Sequence, residues 1–253
     1  MRTTWIITSA INSDVGVFGV DSRILQTHAT IDSIIKYYPD AKLVLVEAGK
    51  PIADYAPYQQ LKSRCHVTLD LTGHGQIEHL QREFLSKATN KNEMGGTTGL
   101  TKTVAELTIM GAVLAALRNN PDLEPALHVD RIFKISGRYQ LSPLFDPAEY
   151  EKSGYDTRCV FRQRDESWIP NATETIGTGH SYSSRLWSFA PVQLDDLINC
   201  WDQMIEDCLE LTTKYYIDIE HLLFKHIGPE RSIEIPHTHL YGTIAPTGVM
   251  VYD

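Results

Sequence analysis

An open α/β sheet with right-handed crossovers is the fold class this chain predicts, and three stretches near its start predict it. Trp5–Ile11 is a short apolar run broken by Thr8 and Ser9, too short and too polar for a secretion signal, and it reads as a first strand. From Ser22, residues Ile24, His28, Ile31, Ile35 and Tyr38 recur at helical spacing until Pro39-Asp40 ends the helix. Lys42–Ala48 (KLVLVEA) is a continuous apolar run with an acid near its end, the pattern of a parallel strand buried on both faces. Strand, helix and strand in that order make a crossover unit.

The later elements continue the pattern and then loosen it. His66–Leu71 reads as a third strand ending near Asp70. Gly73–Lys102 is polar and glycine-rich, and Gly95–Gly99 within it suits a lid. Thr101–Leu117 is a helix with Val104, Leu107, Met110, Leu114 and Leu117 on one face, and Pro121–Pro125 breaks it. Arg131–Gly137, Thr157–Arg164 and Arg185–Phe189 are strands, with a Gly/Ser/Thr loop from Thr173 to Ser184. A helix from Gln193 to Thr212 carries Leu194, Leu197, Ile198, Trp201, Ile205 and Cys208. Another starts near Asp218 and stops at Gly228-Pro229. The tail, Ser232–Val251, is strand-like, with His237 and His239 on one face. The expectation is one domain over 1–253, regular to about residue 140 and irregular beyond it.

Composition narrows the partners. The net charge of −9 argues against nonspecific nucleic-acid binding, which needs a basic face. No run is expected to match the ~18 apolar residues of a membrane span. The four cysteines are scattered without a C-x-x-C, as expected of reduced thiols in a cytoplasmic protein. G-x-G-x-x-G after the first strand, G-x-x-x-x-G-K-[ST] and G-x-S-x-G are all absent, which disfavours a dinucleotide fold, a P-loop and a serine-hydrolase elbow.

In open α/β sheets ligands sit at the carboxyl ends of the strands, here Ser9, Glu47, Asp70 and Ser136–Arg138. Glu47 suits either a cap or a hydrogen bond to a base or ribose. Asp218-Ile219-Glu220-His221 opens a helix, where the dipole alone favours acids; a carboxylate held there is also placed to take a proton from a hydroxyl. Asp218, the shorter acid, suits the N-cap.

Taken together these pieces resemble the GT-A nucleotide-sugar glycosyltransferases, and more narrowly small bacterial and viral transferases with a KISGRY strand. The residues are Arg23, Gln26, Thr27, Thr30, Ile31, Ser33 and Ile34 on the first helix, Val46-Glu47, Lys134-Ile135-Ser136-Gly137-Arg138-Tyr139, and Tyr216 to His221. The resemblance implies a GT-A-like, Rossmann-like open mixed sheet flanked by helices, with an irregular acceptor-side lobe. It implies transfer of a sugar from a nucleoside-diphosphate sugar, UDP-linked by expectation, to a glycan hydroxyl. A non-catalytic nucleotide- or glycan-binding domain and a nucleotidyltransferase are the alternatives. Glu220 or Asp218 would be the base, and Ser9, Arg23 and Glu47 would line the nucleoside. Lys134, Ser136, Gly137, Arg138 and His239 would face the diphosphate, with Gly177–Gly179 as the glycine-rich loop. The chain departs from the family where two aspartates commonly close the fourth strand and hold Mn²⁺ or Mg²⁺. Here stand Ser136, Gly137 and Arg138. Either the guanidinium does part of the metal's task, or Arg138 pairs with an acid such as Asp146 or Glu220.

Overall fold

The computed structural model describes residues 1–13, 16–87, 96–152, 154–244 and 247–253. The first half runs β1 (Thr3–Ser9), α1 (Val20–Tyr37), β2 (Lys42–Glu47), α2 (Ala56–Ser63), β3 (Val67–Asp70), α3 (Gly75–Lys87), α4 (Gly96–Asn119), α5 (Glu124–Leu127) and β4 (Arg131–Ser136). The second half follows with β5 (Tyr139–Leu141), β6 (Cys159–Arg162), β7 (Asp165–Glu166), α6 (Ala172–Thr175), β8 (His180–Ser181) and β9 (Leu186–Phe189). It closes with α7 (Leu194–Leu211), α8 (Ile219–Ile227), β10 (Ser232–Ile235), β11 (Leu240–Thr243) and β12 (Met250–Tyr252).

The main sheet has seven strands in the order β10-β6-β9-β4-β1-β2-β3. Strands β3, β2, β1 and β4 are parallel, β9 runs antiparallel between β4 and β6, and β10 is parallel to β6. Alternate residues of the central strands feed two cores. Trp5, Ile7, Leu43, Leu45, Phe133 and Ile135 face α1, with Trp5 stacked on Phe133 at 4.3 Å. Ile6, Val44, Val46 and Ile132 face the other way, toward α4 and α7. This is the mixed α/β sheet flanked by helices that the sequence predicts.

Four details differ from the sequence reading. The buried side of α1 is Arg23, Ile24, Thr27, Thr30, Ile31 and Ile34, while Ile35 is 38% exposed. Thr27 faces inward because its hydroxyl donates to Gly137 O at 3.0 Å, so a polar stripe lies on the packed face. Helix α4 begins at Gly96, which makes Gly96–Gly99 its opening turn; Gly95, the other end of the expected lid, lies outside the described residues. Its Leu100–Asn119 stretch is apolar and long enough to cross a membrane by composition, contrary to the expectation above. Half of that stretch is buried in the protein, and Trp201 on α7 donates its indole N–H to Leu107 O at 2.8 Å. Finally, His237 and His239 lie in the connection between β10 and β11, not on a strand. His239 has φ +53°, the left-handed kink that lets the chain leave the main sheet.

That kink delivers β11 to a second sheet of three antiparallel strands, β12-β11-β5. The chain therefore passes from β4 in one sheet to β5 in the other through Gly137 and Arg138 alone.

Candidate active site

Two cavities flank that two-residue turn. The smaller lies at the carboxyl ends of β1 and β4 and is lined by Thr8, Ser9, Arg23, Thr27, Gly137 and Arg138 among others. Its floor is tied down by side chains. Glu47, fully buried, accepts Ser9 Oγ at 2.6 Å, Ile11 N at 2.9 Å and Gly49 N at 2.8 Å. Gly49 allows this close return: a Cβ there would stand 2.7 Å from Glu47 Oε1. Burial raises the Glu47 pKa above the ordinary carboxylate value, and those hydrogen bonds oppose the rise only in part. Arg23 donates Nε to Phe18 O at 2.9 Å and Nη1 to Ala10 O at 2.6 Å. Burial and then the neighbouring Arg138 charge lower its pKa. Both residues thus shape the β1–α1 loop. Gly137 is also fixed by packing, since a Cβ would meet Thr27 Oγ1 at 3.2 Å and Thr8 O at 3.3 Å. Asp70, at the end of β3, is exposed and bonds Thr72.

The larger cavity, of about 470 Å³, lies on the other side of β4 between α4, the β7–β8 hairpin and the start of α8. Its wall carries both Asp218 and Glu220. Asp218 is the N-cap of α8: Oδ1 accepts His221 N at 3.0 Å and contacts His221 Nδ1 at 2.6 Å. The buried His221 ring reaches Ser167 Oγ at 2.7 Å with Nε2, so the cap is held from behind. Glu220 accepts Ser184 Oγ at 2.8 Å on Oε1, with Lys102 Nζ 3.5 Å from the same atom. That carboxylate raises the Lys102 pKa and keeps the ammonium charged. Trp168, half exposed, tilts against Tyr216 at 5.5 Å on the rim.

A buried relay lies beneath. Lys134, fully buried, donates to Glu106 Oε1 at 2.6 Å, Ser184 O at 2.7 Å and Ser136 Oγ at 3.3 Å. Burial pushes the Glu106 pKa up, but Lys134, Lys102 and Arg138 outweigh it and hold the carboxyl below its usual range. An ammonium has three donors, and all of Lys134's are used, so this residue has none left for a phosphate. His239 is also misplaced for that task. Strand register sets Gly242 opposite Tyr139 and Leu240 opposite Leu141, so Thr243 neighbours the Arg138 level. His239 stands level with Ser142, four residues or roughly 13 Å farther along at the strand rise, its ring 5.5 Å from His237. Gly179 lines a separate cavity of about 400 Å³ with Ser167 and His180. Arg138 makes no ion pair with Asp146 or Glu220, and its buried Nε has no partner among the described residues.

The donor set at the end of β4 does not fit a divalent ion. Only the Ser136 hydroxyl offers an oxygen, Arg138 brings a positive charge, and hard cations need carboxylates. Among the described residues no group of three His, Cys, Asp or Glu is placed to hold a metal.

No protein-family model matches this chain, and no curated protein does. Solved structures do match in shape. Core-mannan synthase A from Aspergillus fumigatus, in a Mn/GDP form, superposes with a TM-score of 0.57 at 8% identity over 93% of this chain and 73% of its own. The galactosyltransferase LgtC, in complex with donor and acceptor sugar analogs, gives 0.53 at 9% over 92% and 73%. The fold is of the GT-A type. In GT-A terms the parallel half carries the smaller cavity and the β7–β8 and α8 region the larger. Sequence reasoning missed Lys102, Glu106, Ser184, His221 and Arg185. Lys102 and Glu106 had a signal, a charged i,i+4 pair on an otherwise apolar helix; His221 stood within the Asp218–His221 stretch, and Ser184 and Arg185 are joined to the site only by the fold.

Proposed function

We propose that this protein is a glycosyltransferase that moves a sugar from a nucleoside-diphosphate sugar, UDP-linked in our reading, to a carbohydrate hydroxyl. The observation that carries the reading is the Asp218/Glu220 pair on the wall of a large cavity across one turn from the strand ends of a GT-A-type sheet. We assign Glu220 as the base, because Oε1 is anchored by Ser184 and Lys102 while Oε2 has no hydrogen bond among the described residues. It takes the acceptor proton as the acceptor oxygen bonds to the sugar carbon. The bond from that carbon to the diphosphate breaks, and the electron pair leaves with the nucleoside diphosphate. Asp218 fixes the start of α8. Ser9, Glu47 and Arg23 shape the nucleoside pocket through the loop they hold, and Arg138 faces the diphosphate with Ser136 and Gly137 beside it. The half to about residue 140 takes the nucleotide and the remainder the acceptor. The cysteines are unpaired, which fits a reducing cytoplasmic setting.

The missing acidic pair favours one second reading, binding without turnover. A thermal-shift series with nucleoside diphosphates and sugar nucleotides, followed by assay of nucleoside diphosphate release with a glycan acceptor, separates the two. Ligand at 100 times its Kd raises stability by about 2.7 kcal/mol. No shift with any nucleoside diphosphate at about millimolar concentration overturns both readings; a shift without release leaves the binding domain.

A further inference from the structure

We propose that the donor diphosphate is gripped by two guanidinium groups, Arg138 and Arg185, arrayed on the ring of Tyr139, and that this grip needs no divalent metal. The inference rests on the nucleotide-sugar reading and adds to it Arg185, Tyr139 and the chemistry of the clamp.

The chain carries a net charge of −9, so an arginine has many acids available to it. Most other arginines use them or donate to carbonyls, and Arg158, whose side chain makes neither contact among the described residues, is exposed on the surface. Arg2 pairs with Asp130, Arg64 with Asp32 and Arg164 with Glu234, while Arg131, at the far end of β4, donates to Ser188 Oγ and Arg158 O. Arg138 and Arg185 differ: among the described residues neither side chain makes an ion pair or a hydrogen bond. Both instead stand over the same buried tyrosine, their guanidinium carbons 5.6 and 5.7 Å from the Tyr139 centroid. An aromatic face holds a guanidinium by cation–π attraction without using its N–H donors, so both forks remain available.

Position assigns the ligand. Arg138 lines the small cavity at the strand ends, and Arg185 lines the large cavity that holds Glu220. Ser136 N donates to Arg185 O at 3.1 Å, which locks the start of β9 beside the Ser-Gly-Arg turn. The part of a nucleotide sugar that joins nucleoside to sugar is the diphosphate, and it must cross this boundary. The positive charge of Arg138 is felt on both sides, since it opposes protonation of Arg23 in one cavity and of Lys102 in the other. An anion at the boundary relieves that repulsion, and planar forks suit phosphate oxygens in bidentate pairs. The strand end that would otherwise hold a metal has no carboxylate to do so.

The test is calorimetric titration of the full chain with inorganic pyrophosphate and with UDP, in EDTA and then in Mn²⁺. Wild type should bind both ligands in EDTA. Arg138→Gln and Arg185→Gln should each weaken both by about 10-fold, the scale of a charge-assisted bond. Arg118→Gln, at an exposed arginine that pairs with Asp195, should bind as wild type. Unfolding without ligand checks each variant, and if Arg185→Gln does not fold, Arg185→Lys serves, with affinity expected to fall short of wild type. Full affinity in a folded Arg185 variant overturns the clamp. So does wild-type binding that requires Mn²⁺, and turnover with Mn²⁺ would then leave the transferase reading standing. Loss of UDP binding under every condition removes both.

Discussion

At the ends of β1 and β2, Glu47 is fully buried and both its oxygens are occupied by Ser9, Ile11 and Gly49. Across the Arg138 turn, Glu220 keeps one oxygen anchored and presents the other to a cavity of about 470 Å³. The same residue type thus ends one strand as a loop tie and opens one helix as a carboxylate facing a cavity. Their surroundings differ in kind. The tie sits among neutral donors, whereas Glu106, beneath the larger cavity, sits among Lys134, Lys102 and Arg138. A buried acid without a cation rises in pKa; one ringed by cations falls.

Breaking the start of α8 should have the largest effect. Glu220→Gln is expected to lower kcat by ~10²–10⁴-fold with donor affinity almost unchanged, measured by steady-state transfer and nucleotide titration. Asp218→Ala, which removes the cap, should cost about 1 kcal/mol in stability. Near-normal rates in both variants would reduce the α8 start to a cap.

Next in size is Glu106→Gln, which strips the fully buried Lys134 of its anion and should cost about 3–5 kcal/mol at pH 7 by chemical denaturation. Its pH dependence has a definite sign. The folded-state pKa of Glu106 lies below the unfolded one, so its contribution is present above the unfolded value and lost as pH falls through the folded value. The gap to wild type should be widest near neutrality and close in acid.

Glu47→Gln should have a smaller effect with the opposite slope, about 1–3 kcal/mol from disturbed hydrogen bonds. Glu47 has a raised folded-state pKa, so its contribution is full below the unfolded value and declines as pH rises through the folded one. The gap to wild type should therefore be larger near pH 4 than near pH 7. If both gaps moved the same way with pH, the contrast between the two regions would fail.

The two regions were also unequally legible. The parallel half announces itself: Lys42–Glu47 is apolar because both faces are buried, and Ser9, Glu47 and Ser136 follow as strand ends. Helix α8 was equally readable, since an N-cap acid and a Gly-Pro stop are local signals. The face of α1 departs from its apolar periodicity because Thr27 turns inward to a carbonyl more than a hundred residues away, which periodicity cannot register. Lys134 looked available because a strand pattern carries no trace of Glu106 and Ser184 O beneath it. Arg185 stands just before β9, and its link to Arg138 runs through a ring in another sheet, which no local pattern carries.

The passage of the KISGRY segment between two sheets has a mechanical consequence. Ser136 ends β4 in the large sheet, and Tyr139 begins β5 in the small one, whose other strands come from the last part of the chain. Arg138 is therefore held between two sheets, with Gly137 N donating to Thr8 O in the large one and Tyr139 opening the β5–β11–β12 sheet. A tilt of that sheet would swing the Arg138 guanidinium over the strand ends while Ser9 and Glu47, rooted in the large sheet, stayed still.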